Sequence, residues 1–165
     1  MKKQIILLNG PSSSGKSTLS RALQSLIEDK IGEKYAVISI DDFMKLATDE
    51  TIYEDDVFEI SGDMCEGALS ALKDCDGVII DHVITSERIF NQLSESLGEY
   101  GIYRVKVFCP LDILLRRERE RKNRCIGSAQ DSYTYLYPKD SYDLTVDTSA
   151  MSPQECASEI YNALS

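Results

Sequence analysis

A loop near the start of the chain carries the residue types and spacing that bind phosphate. It reads Gly10-Pro11-Ser12-Ser13-Ser14-Gly15-Lys16-Ser17, which is the G-x-x-x-x-G-K-[ST] pattern. Glycines let the backbone curl until several N–H groups point at one phosphate, and a following helix adds its positive end. The alternative is a chance match in an ordinary Gly/Ser loop. The flanking apolar run and helical pattern favour a site for ATP with Mg²⁺.

The loop residues have separate expected roles. Lys16 should reach the β- and γ-phosphates and take part in catalysis, and the Ser17 hydroxyl should bind Mg²⁺. Backbone groups along the loop should hold the remaining phosphate oxygens. The predicted cofactor-binding residues here are Gly10, Ser12, Ser13, Ser14, Gly15, Lys16, Ser17 and Thr18.

Acidic residues follow the second and third apolar runs, where a phosphoryl-transfer enzyme needs carboxylates. Asp41 suits a general base that receives the proton of an acceptor hydroxyl. Asp81 ends an apolar run and suits Mg²⁺, although it could instead only close a loop. Asp42 is a candidate substrate contact or a cap of the next helix. His82 is a candidate substrate contact or base, or a hydrogen-bonded structural residue.

A basic segment spans 116–124, with six basic and two acidic residues and a net charge of +4. Arg117, Arg121 and Arg124 have helical spacing and should share one face. Arginine forks match phosphate oxygens, so we expect Arg117 to bind ATP and Arg121 and Arg124 to act in catalysis. The alternative is a solvated helix with Glu118–Lys122 and Glu120–Arg124 pairs. Gly127 then breaks the pattern, which suits a lid around 116–135.

An acidic segment spans 41–66, with ten acidic residues, one lysine and a net charge of −9. A kinase that phosphorylates a second nucleotide needs positive charge near the acceptor phosphate. The lack of positive charge in this segment favours a neutral or cationic small-molecule hydroxyl acceptor. The alternative is a solvated acidic helix face.

Short apolar runs alternate with longer amphipathic ones, which predicts βαβ units and a mostly parallel sheet. Such sheets bind ligands beyond the carboxyl ends of their strands. The last helix opens with Ser152-Pro153-Gln154-Glu155, a capping box with Pro at the first helical position. The predicted strands are Gln4–Asn9, Tyr35–Ile40, Gly77–Asp81, Tyr103–Cys109 and Leu144–Val146. The predicted helices are Ser17–Lys30, Phe43–Ala47, one within Tyr53–Cys75, Ser86–Leu97, Asp112–Asn123 and the last one.

Composition excludes several classes of function. The 165 residues suit one domain, here 1–165, and their net charge of −10 disfavours nucleic-acid backbones and anionic membranes. Five cysteines without a C-x-x-C pair favour reduced thiols, and no leader or membrane span is recognisable. We therefore expect a cytoplasmic protein. The sequence predicts no oligomeric state.

Five motifs, in this order, carry a family resemblance over almost the whole chain. They are the run 6–17, Ile40–Phe43, Val78–Asp81, the R-E-x-x-R-x-x-R-x-x-G-x-A run from Arg117 to Ala129, and the run from Tyr142 to Ser149. With them the chain resembles the chloramphenicol phosphotransferase-like group of P-loop kinases. The resemblance implies a P-loop NTPase α/β three-layer sandwich, nucleoside- or shikimate-kinase-like, with a five-stranded parallel sheet flanked by helices.

The resemblance also implies transfer of the γ-phosphate of ATP to a hydroxyl, with chloramphenicol as the family's named acceptor. It implies that Asp41 is the base and that the loop with Thr148 passes near the adenine, where a plain strand-to-helix turn is the alternative. Asp42 and His82 depart from the family pattern, which leaves the acceptor open. Two other readings stay open, a toxin-type kinase acting on a nucleotide sugar and an ATP-binding regulatory module.

Overall fold

The computed structural model describes residues 3–44, 54–121 and 127–164. Its centre is a five-stranded, all-parallel sheet with the order β2-β3-β1-β4-β5. The strands are β1 (Gln4–Asn9), β2 (Tyr35–Ser39), β3 (Gly77–His82), β4 (Ile102–Phe108) and β5 (Leu144–Asp147). The predicted α/β fold and its five parallel strands are confirmed.

Seven α-helices lie in the described part of the chain. They are α1 (Lys16–Ile31), α2 (Ile40–Met44), α3 (Glu54–Ala71), α4 (Glu87–Leu97), α5 (Leu111–Glu120), α6 (Ser128–Tyr135) and α7 (Pro153–Leu164). The capping box of α7 forms as the sequence predicts. The Ser152 N–H donates to Glu155 Oε1 at 3.2 Å, and the Glu155 N–H donates to Ser152 Oγ at 3.1 Å.

Helices cover both faces of the sheet, which explains why its central strands read as continuous apolar runs. Ile5 and Leu7 of β1 pack into one core with α3 and α4. Ile6 and Leu8 point to the other face and pack with α1 and α7. All four side chains are fully buried. In the observed register Asn9, the last residue of β1, lies opposite His82 of β3 and Lys106 of β4, so the phosphate loop begins at the carboxyl edge of the sheet.

Two predicted helices differ from the structure, and one helix was not predicted. The short helix expected over Phe43–Ala47 is instead α2, which begins at Ile40, and residues 45–47 lie outside the described residues. The helix expected over Asp112–Asn123 ends at Glu120, because Arg121 is extended with φ −92° and ψ 91°. Helix α6 was not predicted. Arg121 therefore lies beyond the helix that carries Arg117, and Arg124 lies outside the described residues.

Strand β1 lies between β3 and β4, and the strand order reverses on its two sides. Loops that leave neighbouring strands in opposite directions open a crevice at the carboxyl edge, which is the usual binding place of such sheets. The phosphate loop leaves β1 at this point. No helix within residues 3–44, 54–121 and 127–164 is long and apolar enough to cross a membrane.

Candidate active site

The loop between β1 and α1 has backbone conformations and close contacts that residues with a side chain rarely tolerate. Gly15 has φ 91° and Ser13 has φ 72°, both in the left-handed region. A Cβ at Gly10 would lie 2.5 Å from the Val107 carbonyl oxygen, so only glycine fits against β4 there. These conformations turn the chain sharply from the strand into α1. The loop thus combines a tight curl with a helix N-terminus, as the sequence pattern predicts.

Lys16 lies folded over its own loop and is 6% exposed. Its Nζ donates to the Pro11 carbonyl oxygen at 2.8 Å and lies 3.4 Å from Ser14 Oγ. A buried ammonium group held at the mouth of a loop of backbone N–H groups is suited to neutralise phosphate charge.

Ser17 and Asp81 form the pair that the sequence predicts for a metal. The Ser17 hydroxyl donates to Asp81 Oδ2 at 3.1 Å, and Ser39 Oγ lies 3.4 Å from the same oxygen. Asp81 is 3% exposed, and burial raises the pKa of its carboxyl, while the charge of Lys16 acts in the opposite direction. Carboxylate and hydroxyl oxygens are the ligand types that Mg²⁺ takes in proteins, so this pair fits that ion.

A cleft of about 370 Å³ lies over the loop. Asp41 and Asp81 line it on the side of β2 and β3, and Arg117, Arg121 and Thr148 line it from the other elements. The loop residues in its lining are Ser12, Ser13, Gly15, Lys16, Ser17 and Thr18. Most of the predicted site residues therefore converge on one cleft.

Four predicted site residues lie outside this lining in the described part of the chain. Gly10 lies against Val107 of β4, Ser14 Oγ lies near Lys16 Nζ, and the side chain of His82 is fully buried. Asp42 is exposed and lines a second cavity of about 370 Å³, which shares Ser17, Asp41, Asp81 and Arg121 with the first. Arg124, which the sequence predicts to act in catalysis, lies within 122–126, outside the described residues.

Arg117 and Thr148 fasten the loop to the rest of the sheet. Arg117 Nη2 donates to the Thr148 carbonyl oxygen at 2.9 Å, and Nη1 lies 3.2 Å from Thr148 Oγ1. Thr148 Oγ1 donates in turn to the Ser14 carbonyl oxygen at 2.6 Å. The two residues thus form one wall of the cleft, directly beside the loop.

His82 has no exposed surface, and its Nε2 lies 3.0 Å from the Ser61 hydroxyl of α3. Burial lowers the pKa of this imidazole to about 3, with the charge of Lys16 as a second cause. The ring is therefore neutral at physiological pH and ties β3 to α3. This geometry agrees with the structural alternative for His82 rather than with a substrate contact.

Glu118 is buried rather than part of a solvated helix face, and Lys122, its alternative partner in the sequence, lies outside the described residues. The Glu118 carboxylate is 3% exposed and accepts the N–H groups of Gly127 at 2.9 Å and Ala129 at 2.6 Å. It caps α6, because a buried carboxylate is best satisfied by the free N–H groups of a helix start.

Sequence reasoning missed two further residues that hold the loop. Asn9, the last residue of β1, donates from Nδ2 to the Tyr137 carbonyl oxygen and to the Tyr142 hydroxyl, both at 2.9 Å. Ser132 of α6 accepts the Ser12 N–H at 2.9 Å. A polar residue closing an apolar strand was the available signal for Asn9. Nothing local marks Ser132, which lies 120 residues from its partner.

Solved structures share this fold over almost the whole chain. The APS kinase CysC of Mycobacterium tuberculosis, in complex with AMPPNP and APS, has a TM-score of 0.77 at 20% identity, covering 99% of this chain and 98% of that one. A gluconokinase from Sinorhizobium meliloti 1021 has a TM-score of 0.71 at 20% identity, covering 99% and 91%. The tunicamycin resistance protein of Deinococcus radiodurans has a TM-score of 0.69 at 18% identity, covering 98% and 95%.

The phosphate loop, its place beside the central strand and these similar folds define the P-loop fold, and together with the family match over residues 3–165 they make the protein a P-loop kinase. The family model of chloramphenicol phosphotransferase-like proteins matches residues 3–165, and the chain belongs to this family. No curated protein matches the sequence.

Proposed function

We propose that the protein transfers the γ-phosphate of ATP to a hydroxyl group of a small molecule and uses Mg²⁺. The observation that carries this proposal is the meeting of Lys16, Asp41 and Arg121 in one cleft above the phosphate loop. A phosphate-binding cation, a carboxylate for the acceptor and a second cation are the parts that phosphoryl transfer needs.

The nucleotide would lie along the cleft with its phosphates over the loop and its base toward Thr148. Pro153, at the start of α7, lines the same end and offers an apolar surface. The Ser12 and Ser13 hydroxyls are buried without a hydrogen-bond partner in the described part of the chain, which leaves polar groups at the loop for a ligand to satisfy. Arg117 would flank the nucleotide from the side of α5.

Ser17 and Asp81 would hold Mg²⁺ near the phosphates. When bound, the ion draws charge from the phosphate oxygens and helps to orient them. Lys16 would exchange its bond to Pro11 for phosphate oxygens. The role of the chain at this end is to hold the buried Lys16 and Asp81 beside the exposed Ser17 hydroxyl.

The acceptor would enter from the second cavity, because Asp41 lines both spaces. Asp41 would accept the hydroxyl proton as the oxygen attacks the γ-phosphorus. The new O–P bond forms, the bond to the leaving ADP oxygen breaks, and Arg121 would offset the charge of the moving phosphoryl group. Three acids, Asp41, Asp42 and Asp81, outnumber Arg21 and Arg121 in the lining of this cavity, which favours a neutral or cationic acceptor. The family's name makes chloramphenicol the first compound to test.

The test measures ADP release from Mg-ATP with and without chloramphenicol, with Lys16→Ala as the control. We expect stimulation that falls by at least about 100-fold in the variant, since removing one phosphate-stabilising group costs that much. ADP release that is equal in both chains would refute the assignment. If ATP binds and chloramphenicol has no effect, a panel of hydroxyl compounds, including nucleotide sugars, separates another acceptor from a regulatory module.

A further inference from the structure

Helix α6 makes a direct side-chain contact with the phosphate loop. The Ser12 N–H donates to Ser132 Oγ at 2.9 Å, and Ser132 is 7% exposed. The Ser132 hydroxyl lies 2.6 Å from the Ser128 carbonyl oxygen and 3.2 Å from that of Ala129. A hydroxyl has only one proton to give, so once that proton serves the helix the oxygen can only accept from the loop. The contact therefore has a fixed polarity.

The contact falls at the point where the loop is under backbone strain. Ser13, the next residue, has φ 72°, a left-handed conformation that residues with a side chain rarely adopt. Such a conformation persists only where its surroundings hold it. Ser132 binds the N–H of Ser12, the residue before Ser13, and Arg117 and Thr148 bind the carbonyl groups of Ser13 and Ser14.

Helix α6 is itself held at both ends. Glu118 caps its N-terminus through Gly127 and Ala129. Beyond its C-terminus, the Tyr137 N–H donates to the Ile84 carbonyl oxygen at 2.9 Å, and Asn9 binds the Tyr137 carbonyl oxygen. A helix anchored in this way can transmit a fixed position to the loop.

We propose that α6 braces the phosphate loop and that Ser132 is a positioning residue for the phosphates of ATP, held in place by Glu118. The inference rests on the proposed function, since it takes ATP as the ligand of the loop. Ser132 does not contact the phosphates. It occupies the Ser12 N–H and thereby keeps the later N–H groups of the loop in the conformation that receives them.

The experiment compares Ser132→Ala with Thr134→Ala. Thr134 is exposed on the same helix, and its hydroxyl donates to the Gln130 carbonyl oxygen at 2.9 Å, so it is a matched control. Calorimetry with a non-hydrolysable ATP analogue and Mg²⁺ gives the Kd. We expect roughly a five- to tenfold rise for Ser132→Ala, the effect of about one hydrogen bond, and less than a twofold change for Thr134→Ala. Ser132→Thr keeps the hydroxyl and should restore the Kd.

A second variant tests the anchor. Glu118→Gln loses one of the two bonds to α6 and should also raise the Kd, whereas Asp76→Asn should not. Asp76 is a matched control, because its carboxylate accepts the Lys34 N–H at 2.8 Å at the opposite edge of the sheet. Hydrogen exchange of the Ser12 N–H should become faster in Ser132→Ala and in Glu118→Gln.

Equal Kd values for Ser132→Ala and Thr134→Ala would overturn the proposal, as would a raised Kd that Ser132→Thr does not restore. Both readouts use the nucleotide without an acceptor. A chain that binds the analogue but never shows acceptor-stimulated ADP release would therefore refute the proposed function and leave this comparison intact.

Discussion

At the scale of single residues, the chemistry of the cleft depends on which carboxylate faces which space. Asp81 is buried against Ser17, whereas Asp41 is only half-buried and lines both cavities. A buried carboxylate beside a hydroxyl suits a cation, and an accessible one at a junction suits an incoming hydroxyl. The two acids therefore have separate proposed roles, although both lie at the carboxyl edge of the sheet, Asp81 near the end of β3 and Asp41 after β2.

Asp41→Asn should lower kcat by about 100-fold to 10,000-fold, because an amide cannot accept the acceptor proton. The Kd for ATP should change less than about threefold, since the phosphates rest on the loop. Initial rates of ADP release with a stimulating hydroxyl compound, together with calorimetry, separate the two effects. Asp29→Asn, on the exposed face of α1, serves as the control. A weakened ATP affinity with an unchanged kcat would instead assign Asp41 to the nucleotide or the metal.

At the scale of secondary-structure elements, buried hydrogen bonds fix the relative positions of helices and strands. Apolar packing, which is not directional, fixes those positions less closely. His82 joins β3 to Ser61 of α3, and Glu118 joins α5 to α6. Each contact uses a group that could carry charge or accept several hydrogen bonds. Removing one partner of such a contact leaves the other buried without a hydrogen bond, which lowers the stability of the fold.

The contact between β3 and α3 predicts a loss of stability in acid. His82 has a pKa of about 3 in the folded chain, lowered from 6.5 by burial and by the charge of Lys16, while a hydrogen bond with the Val83 backbone and the charge of Asp41 act in the other direction. At a pH between about 3 and 6.5, His82 is protonated in the unfolded chain and neutral in the folded chain, so unfolding takes up a proton. Stability is therefore complete above pH 6.5 and falls as the pH drops toward 3, by about 1.4 kcal/mol per unit from this group.

Urea unfolding at several pH values between 4 and 7 measures this effect. His82→Gln removes the titrating group, so its free energy of unfolding should fall less steeply with acid than that of the natural chain. Asp81 acts with the opposite sign, since its raised pKa lets the folded chain take up a proton first. Both chains contain Asp81, so the difference between them reports His82. If the free energy of unfolding fell equally steeply with acid in the natural chain and in His82→Gln, His82 would not have the lowered pKa that its burial implies.

At the scale of the whole molecule, ligand binding and stability are linked. A chain of net charge −10 repels anions at a distance, and the cleft brings Lys16, Arg117 and Arg121 together at one place. Whatever binds only the folded chain stabilises it by mass action. Nucleotide binding can therefore be followed on the whole fold without knowledge of the acceptor.

Mg-ATP at 100 times its Kd should stabilise the fold by about 2.7 kcal/mol, which raises Tm by about 5–10 °C in a chain of this size. Lys16→Ala should lose most of that shift because the loop loses its cation, while its Tm without nucleotide stays close to that of the natural chain. Thermal unfolding with and without Mg-ATP measures both values. An equal shift in the two chains would show that ATP binds without Lys16.

Much of the fold and of the candidate site could be predicted from short stretches of sequence. The phosphate loop, the apolar runs of the strands and the capping box of α7 each depend on residues fewer than ten positions apart. Their chemistry is local, so spacing alone carries it. The carboxylates Asp41 and Asp81 were expected at one edge because parallel strands end at the same edge of a sheet.

Only the tertiary structure determined which of these groups meet and which stay buried. The end of α5 at Glu120, the capping of α6 by Glu118 and the contact of Ser132 with Ser12 have no local signal. Ser12 and Ser132 are 120 residues apart, and Asn9 and Tyr142 are 133 apart. A hydrogen bond over such a separation exists only once the sheet and its helices have packed, because the partners are selected by position in space rather than by sequence pattern.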